Sequence, residues 1–470
     1  MSRPRIRTEH LVAGLLIGLM GAALVVESSS DRQAGIDEPT WITSGYLTWQ
    51  LVTQAAPPER WATVFAERQL GVWGNLNPPV GKLIIGMAVA HAKQPGDPIR
   101  YRWLWPYSYE VNLKAGTLPP DSLLRSVRQA MVPFGVLALI LVYLIGREVS
   151  GTVRFAPILA PVLLFSSEAF RDYSTLVFTD APQLAFTLAA VWLVLLWLRR
   201  MKPWLLVGAL VSLGLACGTK LNAGVLVPVT VIFVAILPAP LKKRVSRALL
   251  VGTIPAAVFV AVNPYLWPQP FARTLSLIRG WGSFLQEQQA DPVHAAARVV
   301  DRLDALDLVV QRVLLLPTRG TGIPGFPGSW AHALAALLAL VAVTCFALAA
   351  FRWSGKGVDR RQVVLAFGLG TLAAPMTWEF PGGNALVALL LGLGAWRLVT
   401  RLRGSGGFEA AGYFTLVLLT TLVATWLWLP FDWQRYYLPA LGLTPVLGGL
   451  GAIEIEQALS LHMGARRAFS

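Results

Sequence analysis

Apolar residues in this chain fall in long runs separated by short connections that carry most of the charge, and the alternation continues from end to end. The first run, Leu11 to Val26, follows a start bearing Arg3, Arg5 and Arg7. It reads as an uncleaved anchor, because Glu27-Ser28-Ser29-Ser30 offers no small-x-small cleavage signal. Further runs at 124–146, 153–170, 178–198, 204–219, 222–237, 248–266, 331–351, 362–378, 383–398, 409–430 and 436–453 each suit a span, since crossing a bilayer takes ~20 mostly apolar residues. With the anchor they predict an all-α polytopic membrane protein of about twelve transmembrane helices, forming one integral-membrane domain over 1–470.

Two stretches break the pattern. Residues 27–123, rich in Pro, Gly and aromatics, form a first long loop that should pack on the membrane surface. Within it, Pro79 to Ala92 is apolar but short and carries Lys82, which predicts an interfacial helix. The ring-dense run Tyr101-Arg102-Trp103-Leu104-Trp105-Pro106-Tyr107-Ser108-Tyr109 suits the headgroup level, with stacking on a sugar as the second reading. Residues 267–330 form the other long loop. Val299, Val300, Leu303, Leu306, Val309, Val310 and Val313 recur there at helical spacing, predicting an amphipathic helix over Pro292 to Leu316. The glycine- and proline-rich run from Gly320 to Gly328 reads as a mobile cover.

The side of the membrane follows from charge. With the N-terminus inside, the inner connections hold Arg147, Arg154, Arg199, Arg200, Lys202, Lys242, Lys243, Arg244, Arg247, Arg352, Lys356, Arg360, Arg361, Arg397, Arg401 and Arg403. The short outer ones hold only Arg171, Lys220 and Arg435. This asymmetry puts both long loops outside the cytoplasm. It also accounts for the net charge of +15, since Lys and Arg sit between apolar runs and not on one folded basic face, which excludes a nucleic-acid partner. A hydrophobic fraction of 55% and a mean hydropathy of +0.57 exceed what one soluble core would bury. Cys217 and Cys345 lie in apolar runs as small core residues, and the five histidines form no ligand motif.

Candidate chemistry lies in the polar groups at the outer ends of the helices: Asp37, Glu38, Asn77, Lys82, Arg171, Asp172, Asp180, Lys220, Glu379 and Arg435. Neither a glycine-rich phosphate loop nor a strand-helix alternation for a nucleotide is present, so a sugar or phosphoryl donor would itself be membrane-anchored. The phosphate of such a donor leaves without protonation. One carboxylate base and several cations would then suffice, in a single inverting displacement. Lys82, Lys220, Arg171 and Arg435 are the candidate phosphate partners, Arg as a fork and Lys as a point charge. Asp180, before Ala181-Pro182, has two readings, positioning the acceptor or a cation and capping its helix. Asp37, Glu38 and Asp180 also leave room for a divalent cation, although no spacing demands one.

Asp37-Glu38-Pro39, Asn77-Pro78-Pro79-Val80-Gly81-Lys82-Leu83, Thr179-Asp180-Ala181-Pro182, Gly218-Thr219-Lys220 and Arg435-Tyr436-Tyr437-Leu438-Pro439 together resemble the landmarks of glycosyltransferase family 39. That family belongs to the GT-C superfamily and includes protein O-mannosyltransferases and lipid A aminoarabinose transferases. The resemblance implies a GT-C-like helical bundle in a bacterial inner or plasma membrane, working on its extracytoplasmic side. It implies a polyprenyl-phosphate sugar donor and a protein, lipid or glycan acceptor. It further implies that Asp37 is the base with Glu38 supporting it; beside this, Asp180 is the third catalytic candidate, and Tyr436 joins Lys82, Arg171, Lys220 and Arg435 as candidate partners of the lipid phosphate. The chain departs from the family in having Asn77 where His or Lys often precedes the proline pair. A transporter or lipid flippase would keep ionisable groups near mid-membrane and show internal repeats, neither of which the spans display. A lipid-linked glycan polymerase or ligase shares the outer location and is separated from a transferase by the order of motifs.

Overall fold

A computed structural model describes residues 8–68, 70, 72–92, 97–105, 107–150, 156–314, 390–399 and 408–468. The described elements are helices and turns, with one isolated β-bridge between Arg298 and Phe431. In chain order the α-helices are α1 (Thr8–Ser28), α2 (Glu38–Thr53), α3 (Pro58–Glu67), α4 (Pro79–His91), α5 (Tyr109–Lys114), α6 (Asp121–Ser150), α7 (Leu159–Ser166), α8 (Glu168–Thr175) and α9 (Asp180–Arg200). There follow α10 (Pro203–Thr219), α11 (Leu226–Ile236), α12 (Leu241–Ala261), α13 (Pro270–Ala290), α14 (Arg302–Val309), α15 (Leu390–Val399), α16 (Phe408–Trp428) and α17 (Leu438–Ala468).

The core is a layer of leucines, valines and small residues shared by α1, α6, α9, α10, α11, α16 and α17. Five described helices are long and apolar enough to cross a membrane: His10–Ser28, Asp121–Ser150, Asp180–Arg200, Leu241–Ala261 and Glu409–Trp428. Their outward faces stay greasy. On α1 Leu11, Leu15 and Leu19 are exposed, and on α12 Leu241, Val245 and Leu249, as lipid contact requires and water would penalise.

Several expected spans differ. The run 153–170 does not continue as one helix: α7 stops at Ser166, and extended Ser167 caps α8 by accepting from the Phe170 amide at 3.4 Å. The run 222–237 opens as a tight 3-10 turn, Leu221–Val225, before α11. The basic cluster at 242–247 is the first part of α12, which extends the expected span toward its N-terminus. Runs 331–351 and 362–378 lie outside the described residues, as do 383–389 of the run that ends in α15.

The second long loop holds α13, a helix that the apolar spacing did not reveal. The single helix expected over 292–316 is instead a 3-10 turn at Pro292–Ala297, α14 and a π-type turn at Val310–Leu314. Asp301 starts α14 by accepting from the Leu303 and Asp304 amides, a stop-start signal inside the amphipathic pattern. Val299, Val309 and Val313 are buried as that pattern requires, whereas Val300 and Leu303 are exposed. The run Gly320 to Gly328 lies outside the described residues.

Charge separates the two ends of the bundle. The end at which α6 and α9 finish carries Arg147, Arg199 and Arg200, with Arg199 on Glu148 at 3.3 Å and Arg247 over the Trp197 ring at 5.3 Å. The end at which α1 and α10 finish and α9 and α17 begin carries the acidic candidates.

Candidate active site

Asp37 ends the turn Gly35–Glu38 and is the N-cap of α2, where an Asp ordinarily accepts from an amide of the first helical turn. Here its side chain caps nothing. Pro39 removes one of those donors, and the carboxylate instead accepts from Arg435 Nη1 at 2.7 Å. Arg435 lies in the short turn Gln434–Tyr436 before α17, with its guanidinium 4.5 Å from the Trp433 ring and 5.7 Å from the Tyr436 ring. Phe431 and Tyr436 both stack on Trp433, at 4.5 Å and 5.9 Å between centroids. Burial works against the Arg435 charge, but Asp37 in the first place, then Tyr436, Tyr173 and Asp180, raise its pKa above the usual value.

Beside this pair lies a second. Asp180 is the first residue of α9, and its Oδ1 accepts from Lys220 Nζ at 2.6 Å, while its Oδ2 is buried without a hydrogen-bond partner among the described residues. The N-cap is Thr179, so Asp180 does not cap the helix and only places a negative charge in its first turn. Lys220 ends α10 in extended backbone, and burial lowers its pKa in spite of Asp180, with Arg435 acting in the same direction as burial.

The Asn77-to-Leu83 motif acts through packing. A Cβ at Gly81 would stand 2.6 Å from the Thr179 methyl and 3.0 Å from the Thr219 methyl, and one at Gly218 would stand 2.9 Å from Val80. Glycine at these positions therefore lets the start of α4 brace the turns that carry Asp180 and Lys220. Farther along, Gly86 lies against the Gly45 carbonyl with no space for a side chain, seating α4 on α2.

Tyr173, on α8, is the residue missed by the sequence reading. Its ring lies 5.0 Å from that of Phe178, and Arg435, Asp180 and Asp37 all act on its hydroxyl. Burial is the largest influence and raises its pKa, which favours the protonated hydroxyl. A lone tyrosine between Asp172 and Ser174 carries no motif, and only the fold brings it here.

Three expected members take other places. Glu38, 0% exposed, accepts from Arg128 Nε at 2.9 Å and Nη2 at 2.6 Å, from the Val177 amide at 2.8 Å and from the Gly35 amide at 2.7 Å. Four donors occupy both its oxygens, so it clamps the backbone and is held apart from the Asp37–Arg435 pair. Arg171 donates to the carbonyls of Phe165 and Ser166 and faces Glu27 at 4.0 Å, which ties α8 to α7 and α1. Lys82 is buried, donates to the Gly74 carbonyl at 2.5 Å and lies over the Phe65 ring at 4.8 Å. Tyr436 remains beside Arg435.

Burial alone pulls the Lys82 ammonium from an ordinary 10.5 down to about 7. Between these values the unfolded chain keeps a proton that the folded chain has lost, so the folded state gains stability as pH rises from 7 to 10.5. Lys82→Met should flatten that part of the melting-temperature profile of detergent-solubilised protein; an unchanged slope would show that Lys82 does not titrate there.

The carboxylates raised as ligands for a divalent cation are each held by a side-chain cation. Glu38 is spent on Arg128, Asp37 and Asp180 each face a cation, and among the described residues no three His, Cys, Asp or Glu side chains are grouped to hold a metal.

Residues 74–268 match the family model of dolichyl-phosphate-mannose-protein mannosyltransferase, in agreement with the resemblance carried by the motifs. No sequence among the curated proteins matches the chain. Solved structures similar to it include the S. cerevisiae protein O-mannosyltransferase Pmt1-Pmt2 complex bound to the sugar donor, at 17% identity, covering 55% of this chain and 34% of that one with a TM-score of 0.38. The oligosaccharyltransferase AglB of Archaeoglobus fulgidus, in complex with an inhibitory peptide and a dolichol-phosphate, is 13% identical over 97% of this chain and 52% of that one, at a TM-score of 0.48. ArnT from Cupriavidus metallidurans, bound to undecaprenyl phosphate, is 14% identical over 95% of this chain and 78% of that one, at 0.39. The chain spans about a third of the yeast protein and about half of the archaeal one.

Proposed function

We propose, from the match of residues 74–268 to the dolichyl-phosphate-mannose-protein mannosyltransferase family, that the chain is a membrane glycosyltransferase of the GT-C type, moving a sugar from a polyprenyl-phosphate carrier to an acceptor outside the cytoplasm. The observation that carries this reading is the convergence of Asp37, Tyr173, Asp180, Lys220 and Arg435, from five separate segments, at one end of the bundle. Asp37 takes the acceptor's proton. Arg435 and Lys220 face the phosphate as charge builds on it, and the Tyr173 hydroxyl donates a hydrogen bond in the same space. A single displacement inverts the anomeric centre.

The test is transfer of radiolabelled sugar from a short-chain polyprenyl-phosphate donor by purified full-length protein, offered peptide, lipid and glycan acceptors in turn. Export of an intact lipid-linked sugar in proteoliposomes without transfer would favour a flippase instead. The proposed orientation puts residues 27–123 and 267–330 outside and the 242–247 cluster inside. Membrane-impermeant thiol reagents on sealed cells should therefore label a cysteine placed at exposed Leu303 and spare one at Lys243, and the reverse pattern would invert the protein and discard the outer-leaflet site.

A further inference from the structure

The cation that the proposed reaction places at the phosphate is already engaged. Arg435 Nη1 lies 2.7 Å from Asp37 Oδ2, and both side chains keep 19% exposure, so the pair lies where a ligand can reach it. Lys220 and Asp180 repeat the arrangement at 2.6 Å. Two carboxylates and two cations cancel, and a neutral quartet holds no net attraction for an anion. A phosphate that takes full hold of one of these cations draws it away from its carboxylate. Of the two pairs, Asp37–Arg435 is the better suited, because Asp180 is 2% exposed and separating it from Lys220 would leave a buried charge alone. The rings of Trp433 and Tyr436 hold the guanidinium in place, and a guanidinium is a planar fork that fits carboxylate and phosphate oxygens equally well.

We propose that Asp37 is an internal stand-in for the donor's phosphate, holding Arg435 in the donor-free protein and yielding it when the lipid-linked phosphate arrives, so that the base is freed only after the donor has bound. This rests on the transferase reading. In the transfer step the acceptor hydroxyl gives its proton to the freed Asp37 carboxylate, and its oxygen bonds to the anomeric carbon. The bond from that carbon to the phosphate oxygen breaks, and its electron pair stays on the phosphate. Asp37 is then neutral and no longer competes, just as the phosphate gains a charge, so Arg435 stays with the product. Protonation of the base and retention of the leaving group are one event read at two atoms. Without donor, Asp37 remains engaged and does not activate water or acceptor.

The experiment is equilibrium binding of polyprenyl phosphate to full-length protein in nanodiscs. Asp37→Asn should bind it about tenfold more tightly than the wild type, roughly one charged hydrogen bond returned to the ligand. The gain should vanish when Arg435→Gln is combined with it. Asp172→Asn, which removes the same charge from a carboxylate held by Arg32 at 2.7 Å, should give none. Equal or weaker binding by Asp37→Asn, or an equal gain in the Arg435→Gln background, overturns the exchange. Initial-rate patterns of the wild type need no variant: a compulsory donor-first order is expected, and random order refutes the proposal. Failure of the wild type to bind polyprenyl phosphate at all would instead remove the transferase reading beneath it.

Discussion

Asp37→Asn should lose sugar transfer by a factor of ~100 or more while the protein folds and still takes up the lipid-linked donor. The substitution keeps the shape of the side chain and a carbonyl oxygen for Arg435 Nη1, now 2.7 Å from Asp37 Oδ2, so the local geometry has little reason to change. What disappears is the ability to accept a proton from the attacking hydroxyl. The measurement is turnover with saturating donor, read beside donor binding and melting temperature on the same preparation. Full activity would remove Asp37 from the role of base. Loss of folding would mean that the Asp37–Arg435 pair is a structural tie.

The largest effect on stability is expected away from the reacting groups. Arg128, 1% exposed in the first third of α6, gives two hydrogen bonds to Glu38, one from Nη1 to the Arg32 carbonyl at 2.9 Å and one from Nη2 to the Gln33 carbonyl at 3.0 Å. Arg128→Met fills similar space with apolar atoms but leaves Glu38 ionised and without its cation in the interior. Removing one partner of a buried pair costs ~3–5 kcal/mol. Because Glu38 also holds the Val177 amide, three residues before Asp180, the loss should loosen both the turn that presents Asp37 and the approach to α9. Chemical denaturation in detergent is the readout. The double variant Arg128→Met with Glu38→Gln should recover part of the loss, since no bare charge remains, and a denaturation midpoint that Arg128→Met leaves unchanged would show that the clamp is not under load.

The helical bundle was legible in the sequence, because apolar run length is a local property that survives folding. Asp37, Asp180, Lys220 and Arg435, which the fold brings near one another, are each an ionisable residue at the boundary of an apolar run. The sequence did not tell which cation meets which carboxylate. Glu38 and Asp37 are adjacent, yet the helical start at Glu38 turns one carboxylate inward to Arg128 and leaves the other facing Arg435. Lys82 and Arg171 satisfied the same boundary rule as Lys220, but their heads are consumed by backbone carbonyls, a contact that has no sequence signature. Tyr173 was invisible because a single aromatic residue is ordinary anywhere in a membrane protein. The expected helix over 292–316 failed at Asp301, whose side chain outcompetes helix continuation by taking up two amides.

The segment that bears Arg435 is stitched to the second long loop by backbone and side chain alike. The Asp432 amide donates to the Ala297 carbonyl at 2.8 Å, the Val299 amide to the Pro430 carbonyl at 3.2 Å, Arg312 Nη2 to the Asp432 carboxylate at 2.7 Å, and the Tyr437 hydroxyl to that same carboxylate at 2.9 Å. The three ties to the loop cross more than a hundred residues of chain, while Tyr437 braces Asp432 from within the segment, and the ion pair they support joins positions 398 apart. Contacts of such sequence separation form late, because the entropy of closing the loops is spent before any of them stabilises the fold. During synthesis from the N-terminus, Asp37 is made 398 residues before Arg435, so the carboxylate spends that stretch of growth without this partner. The assembled charge cluster thus reports that both the second loop and the start of α17 have docked, and an incompletely folded chain cannot present it.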